Sequence, residues 1–226
     1  MKNIDIVSKN GDIVSCLLAK PEQTEPTAFV IVIHGFGSSK ESPTAQMMLE
    51  ALPKAGFGAI GLDLPGHGTH DSFDIPLTIQ NCLDTIGTVE SYLIETYCFP
   101  RIFYFSSSFG AYLTLLYLAT RRHTGDKAFL RSAAVNMPEL FGAGSTLEGM
   151  PSGILEQFEK QGYIILNDAG PAPVKVTKEF VEGLTANKLF DLVPTVIEEG
   201  RFDGIELEMV HGEKDAVIDP AQAITF

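Results

Sequence analysis

Three consecutive serines, Ser106, Ser107 and Ser108, stand between a β-rich run and a strongly apolar helical run. A serine hydroxyl is a weak nucleophile in water, but it attacks carbonyl carbon when a base takes its proton. Its placement matters as much as its activation. A tight strand-to-helix turn holds its central residue in a strained backbone and lifts that side chain above a sheet. Strand and helix backbones nearly touch there, so the residues two before and two after must be small. With Ser107 at the centre those positions are Phe105 and Phe109, which are far too large. With Ser106 they are Tyr104 and Ser108, and one fails. With Ser108 they are Ser106 and Gly110, both small. Ser108 is therefore the candidate nucleophile. The backbone N–H of Phe109, at the start of the helix, would face a developing oxyanion with the helix dipole behind it. The competing explanation is a serine-rich N-cap of a buried helix, where serine is favoured in any case.

The elements that must position such a turn are legible in the apolar pattern. Residues 4–7 and 13–19 are β-rich runs around Asn10-Gly11, a hairpin signal. Residues 29–33, 57–62 and 101–105 read as strands buried on both faces, and 132–136 and 206–210 as a fourth and a fifth. Helical patterns cover 44–55, 75–96 and 109–122. Strands alternating with helices predict an α/β fold with a mostly parallel, doubly wound sheet, the N-terminal hairpin supplying an antiparallel edge. Residues 140–189 break the rhythm with a Gly-rich stretch, a helix near 154–160 and a hairpin pairing 163–166 with 174–176. They are expected to form a cap insertion within a single domain spanning 1–226.

Composition narrows the classes. The 226 residues carry a formal charge of −13, with 45% hydrophobic and 20% charged residues. A packed core is within reach. Nucleic acid and anionic membrane are poor partners for this charge. Cys16, Cys82 and Cys98 are odd in number and match no zinc or redox spacing, which fits a reducing, cytoplasmic setting. Met1-Lys2-Asn3-Ile4-Asp5 lacks the apolar region of a signal peptide, and no apolar run reaches the roughly 20 residues of a membrane span. No phosphate loop, dinucleotide fingerprint, HExxH or CxxC is present, so neither a metal nor a redox cofactor is called for.

Four segments, in order, resemble the α/β-hydrolase superfamily. Ser106-Ser107-Ser108-Phe109-Gly110 is similar to its Gly-x-Ser-x-Gly elbow, with Ser106 replacing the first glycine. His34-Gly35-Phe36-Gly37 after a Val/Ile strand resembles the loop that supplies the second oxyanion N–H, here that of Phe36. Asp63-Leu64-Pro65-Gly66-His67-Gly68 resembles the loop after the next strand, and His211-Gly212-Glu213-Lys214-Asp215 the loop that carries the triad acid. The pattern is closest to acyl-ester hydrolases of the serine-aminopeptidase and cinnamoyl or feruloyl esterase kind. It implies a small-molecule ester substrate, Ser108 as nucleophile and Asp215 as acid, with Glu139 the alternative acid. Phe36, Phe109, Phe141 and Tyr163 could line an acyl pocket.

The resemblance also implies the order serine, acid, histidine. All five histidines, His34, His67, His70, His123 and His211, precede Asp215. The family pattern gives His34 and His67 structural roles, His211 shapes its loop, and His123 belongs to the wrong end of the sheet. His70 is the freest. The base, with the last strand and helix, is expected beyond Phe226. The alternative is a catalytically impaired binding or interaction protein on the same fold. A sheet ending at residues 206–210 would leave an open edge, which invites pairing with a second copy. This 226-residue chain is therefore expected to self-associate in small-angle scattering, and a monodisperse monomer would count against it.

Overall fold

A computed structural model describes residues 1–68, 75–98, 100–140, 152–167, 169–170 and 173–226, the side chains of 152–155 excepted. Strands β1 (Lys2–Val7) and β2 (Ile13–Ala19) form the expected antiparallel hairpin. Then follow β3 (Ala28–Ile33), α1 (Pro43–Lys54), β4 (Gly58–Leu62), α2 (Ile79–Thr96), β5 (Arg101–Ser107), α3 (Phe109–Thr120) and β6 (Lys127–Arg131). Between β6 and β9 (Glu206–Val210) the chain makes an excursion. It comprises α4 (Met137–Leu140), α5 (Ser152–Gln161), β7 (Tyr163–Leu166), β8 (Val174–Thr177), α6 (Lys178–Ala186) and α7 (Leu189–Glu198). Helix α8 (Pro220–Thr225) follows β9.

The seven-stranded sheet runs β1-β2-β4-β3-β5-β6-β9, parallel from β4 onward. Strand β4 lies to one side of β3 and β5 to the other. The loops after β3 and β5 therefore leave the sheet in opposite directions and open a crevice at the strand ends, where open α/β sheets hold ligands. Every residue of β3 and β4 is buried, as their unbroken apolar runs require. Helix α3 is buried through Ala119, so it is apolar all round rather than amphipathic.

Two sequence expectations need correction. Helix α2 begins at Ile79 rather than residue 75, because Pro76 precedes it and Thr78 caps it by accepting the Asn81 N–H at 3.0 Å. The fourth strand is Lys127–Arg131, not 132–136. Its register runs from Phe103↔Lys127 to Ser107↔Arg131, and burial alternates along it, which breaks up the apolar signal. Residues 133–135 are buried without being a strand: Ser132 turns out at φ 47°, and the Ala134 N–H reaches the Ser108 carbonyl at 3.3 Å. Strand β9 is mostly exposed, since β6 is its one described neighbour. The hairpin inside the excursion forms as read, Tyr163 pairing Thr177 and Leu166 pairing Val174.

One buried acid ties these layers. Glu90 on α2 is 2% exposed. Its carboxylate accepts the hydroxyls of Tyr104 on β5 and Tyr117 on α3, each at 2.8 Å, and the N–H and hydroxyl of Thr124 at 2.5 and 2.7 Å. Burial, then the nearby Glu90 charge, pushes both phenols up, so they stay donors. Glu90→Ala would strand the two buried phenol donors, at about 1–3 kcal/mol each, and free the exposed Thr124. Urea denaturation of that variant should show a loss of at least about 2 kcal/mol, and a loss under 1 kcal/mol would refute the role.

Candidate functional site

Ser108 joins β5 to α3 with φ 54° and ψ −118°. An L-residue is strained there, and such strain persists only where the surroundings over-determine it. The determinants are visible on both sides. A Cβ at Gly110 would lie 2.4 Å from the His34 carbonyl oxygen and 2.7 Å from that of Ile33, so helix and strand backbones touch. Ser106, where the family pattern has glycine, is fully buried. Its hydroxyl is 2.7 Å from that of Thr114, which in turn donates to the Gly110 carbonyl at 2.9 Å. Ser106 is therefore the donor to Thr114, and the extra hydroxyl is satisfied. The Ser108 N–H donates to Arg131 at 3.0 Å, tying the turn to the end of β6.

The loop after β3 lies directly against the turn. A Cβ on Gly35 would be 3.2 Å from the Ser108 Cβ and 3.8 Å from its Oγ. Phe36 is the next residue, and Phe109 opens α3, whose first N–H groups have no acceptor within the helix. The structure thus brings Ser108, Phe36 and Phe109 together, the rings of the last two 5.6 Å apart.

His34 and His67 brace this loop. His34 Nδ1 donates to the Gly35 carbonyl at 2.7 Å, and its Nε2 accepts the Leu64 N–H at 3.1 Å. Both nitrogens are engaged. His67 Nδ1 donates to the Pro65 carbonyl at 2.8 Å, and its Nε2 is buried without a described partner. Asp63 accepts the Lys40 N–H at 2.8 Å and pairs with the Lys40 ammonium, both side chains buried. Asp63 thus shapes its loop as an acceptor, with a partner in Lys40 that the sequence does not reveal: a lone lysine in a Ser/Glu-rich stretch carries no signal for burial. Removing one partner would leave an uncompensated buried charge.

Asp215 follows β9 at the same end of the sheet. Its Oδ1 accepts the N–H groups of Val217 and Ile218 at 3.0 Å each. The Ile218 and Val217 N–H groups hold its carboxyl below the usual carboxylate range, with smaller help from Ser132 and His211. His211 Nε2 donates to the Ile218 carbonyl at 2.9 Å and lies 3.5 Å from Asp215 Oδ2, so it shapes the loop. His123 Nδ1 donates to Gly125, before β6, at the other end of the sheet. Glu139 is exposed on α4. Tyr163 lies on β7, half-buried, with Lys175 over its ring. His70 and Phe141 lie outside the described residues. Among the described residues, no group of three or more His, Cys, Asp or Glu side chains could hold a metal ion, and no helix is long and apolar enough to cross a membrane.

A model of the serine aminopeptidase S33 family matches residues 24–226. No curated protein matches the sequence. Among solved structures, Est1E from Butyrivibrio proteoclasticus is similar at 20% identity with a TM-score of 0.75, over 100% of this chain and 83% of that chain. The esterase domain of a Rhodothermus marinus protein is similar at 18% identity and TM-score 0.67, over 99% and 80%. The esterase EaEST from Exiguobacterium antarcticum follows at 17% and 0.63, over 99% and 86%.

Burial drives the His34 pKa down to about 4 and, with the His34 charge adding, that of His67 down to about 3. In the unfolded chain both titrate near 6.5. Below pH 6.5 the unfolded state therefore binds more protons, and stability falls with pH until the folded values are reached. Above 6.5 neither histidine contributes. Each adds a slope of up to about 1.4 kcal/mol per pH unit. Urea midpoints should drop between pH 6.5 and 5, and His67→Phe should flatten part of that drop. An unchanged midpoint across this window contradicts the burial of both as neutral rings.

Proposed function

From a chain that belongs to the serine aminopeptidase S33 family and has the α/β-hydrolase fold, we propose a serine hydrolase that cleaves carboxylic esters. The observation that carries this reading is Ser108, held at φ 54° with the Phe36 loop against its Cβ. Ser108 Oγ attacks the ester carbonyl. The N–H groups of Phe36 and Phe109 hold the oxyanion as the tetrahedral intermediate forms. The alcohol leaves with a proton, and water then releases the acid from the acyl-serine. Asp215 serves as the acid that orients the base: its carboxyl is held ionised by backbone N–H groups, and it borders a recess with Arg131, Ser132 and residues 210–214.

The base in this reading is a histidine following Phe226. The described histidines support that assignment. His34 has both nitrogens engaged, His67 and His211 each hold a backbone carbonyl with the other nitrogen buried, and His123 is at the far end of the sheet. The excursion from α4 to α7 serves as the cap of this single domain and sets the acyl group accepted. Est1E has been solved with ferulic acid bound, so an aromatic acyl ester is the first substrate to try. The free cysteines, Cys16 and Cys82 among them buried, support a cytoplasmic setting.

The chain extended through the residues that follow it in its gene should hydrolyse p-nitrophenyl acetate and take up a fluorophosphonate at Ser108. Ser108→Ala should abolish labelling and leave only about 10³–10⁴-fold acceleration over water. The 226-residue chain alone should show little turnover. No labelling and no hydrolysis by the extended chain would favour the non-catalytic binding protein instead.

A further inference from the structure

The excursion reaches the oxyanion loop at two points. The first is Phe180 on α6, fully buried. Its ring centroid is 5.8 Å from that of Phe109 and 6.1 Å from that of Phe36, which are themselves 5.6 Å apart. The three rings close a triangle, and two of its corners are the residues whose N–H groups the ester-hydrolase reading assigns to the oxyanion hole. The second contact is backbone on backbone. A Cβ on Gly170, in the β7–β8 turn, would lie 1.6 Å from the Gly37 carbonyl oxygen, and one on Gly37 would lie 1.9 Å from that of Ala169. No side chain fits between them.

The segment that makes these contacts is itself fixed. Thr177 caps α6 by accepting the Phe180 N–H at 3.2 Å and donates to the Leu77 carbonyl at 3.3 Å. The Tyr112 hydroxyl, one turn into α3, donates to the Asn187 carbonyl at 2.8 Å, just past the end of α6. Val174, Val176, Val181 and Leu184 are buried beside it. Both ends of α6 are thus tied to the body of the fold, one of them to the helix that carries Phe109.

We propose that Phe180 is a positioning residue: with Gly170 it holds Phe36 in register with Phe109, so the excursion completes the oxyanion hole rather than only covering it. The catalytic part of this inference rests on the ester-hydrolase reading; the mechanical part does not. Phe36 sits in a turn with no helix or strand of its own. A donor displaced by about 1 Å costs rate rather than binding, because the oxyanion develops only in the transition state.

Hydrogen–deuterium exchange reads the mechanical part without any activity. In Phe180→Ala and in Gly170→Ala, amides of residues 35–37 should exchange at least about tenfold faster, with α1 and β3 unchanged. Phe180→Leu should restore most of the protection. Gly170→Ala is the safeguard if Phe180→Ala does not fold, since it leaves the core intact. Unchanged exchange at 35–37 in folded variants overturns the proposal. In the extended chain, kcat for p-nitrophenyl acetate should fall about 10- to 100-fold in both variants with KM nearly constant, and Phe180→Leu should recover it. A rise in KM at constant kcat would mean that α6 only lines the acyl site, and overturns the positioning role. Absence of hydrolysis by the wild-type extended chain would sink the esterase reading and leave the exchange result to decide the mechanical claim.

Discussion

A methyl group at position 110 would sit 2.4 Å from the carbonyl oxygen of His34. That contact between the first turn of α3 and the end of β3 is the constraint on which the site depends. It lets the chain pass from β5 into α3 without an intervening loop, and it forces Ser108 to a backbone conformation that L-residues avoid. The same closeness lays the loop after β3 beside Ser108, so Phe36 and Phe109 come together at the turn from different elements. The sheet order supplies the space. Chain departing in opposite directions from β3 and β5 opens the crevice in which these groups meet.

Much of the remaining structure resists the distortion that this contact demands. Thr114 satisfies the Ser106 hydroxyl, whose burial would otherwise cost stability. His34 fastens the loop after β3 to the next loop through the Leu64 N–H, and Lys40 fastens its far end to Asp63. Glu90 on α2 accepts hydrogen bonds from β5, α3 and the approach to β6, joining them in one network. These groups are polar and buried, and each is paired with named partners. A half-satisfied network here would loosen the turn it supports. Phe180 and Gly170 add the last constraint from outside the sheet.

The histidines illustrate how burial decides a role. His34 and His67 share the loops around Ser108, yet desolvation keeps both neutral far below their ordinary titration range. An imidazole whose nitrogens hold backbone groups in place cannot shuttle a proton without releasing them. Asp215 sits differently. Two backbone N–H groups stabilise its charged form, and the residue borders a recess at the end of β9. One environment suppresses charge and the other sustains it, which separates bracing groups from a group fit to orient a base.

The sequence alone determined the strand-helix alternation, the N-terminal and inserted hairpins, and the placement of Ser108, not its two neighbours, at the centre of the strand-to-helix turn. Those are local matters: apolar periodicity, turn residues, and the bulk allowed two positions from a tight turn. It misplaced the fourth strand, because 133–135 is an apolar run buried beneath the elbow, while the true strand alternates and looks polar. It also placed β9 at the sheet edge, and the strand is accordingly mostly exposed, since burial depends on how many neighbours a strand acquires. Only the tertiary structure showed Lys40 buried against Asp63 and Phe180 set between Phe36 and Phe109. Partners separated by 23, 71 and 144 positions leave no periodic trace in the chain; packing alone brings them within reach.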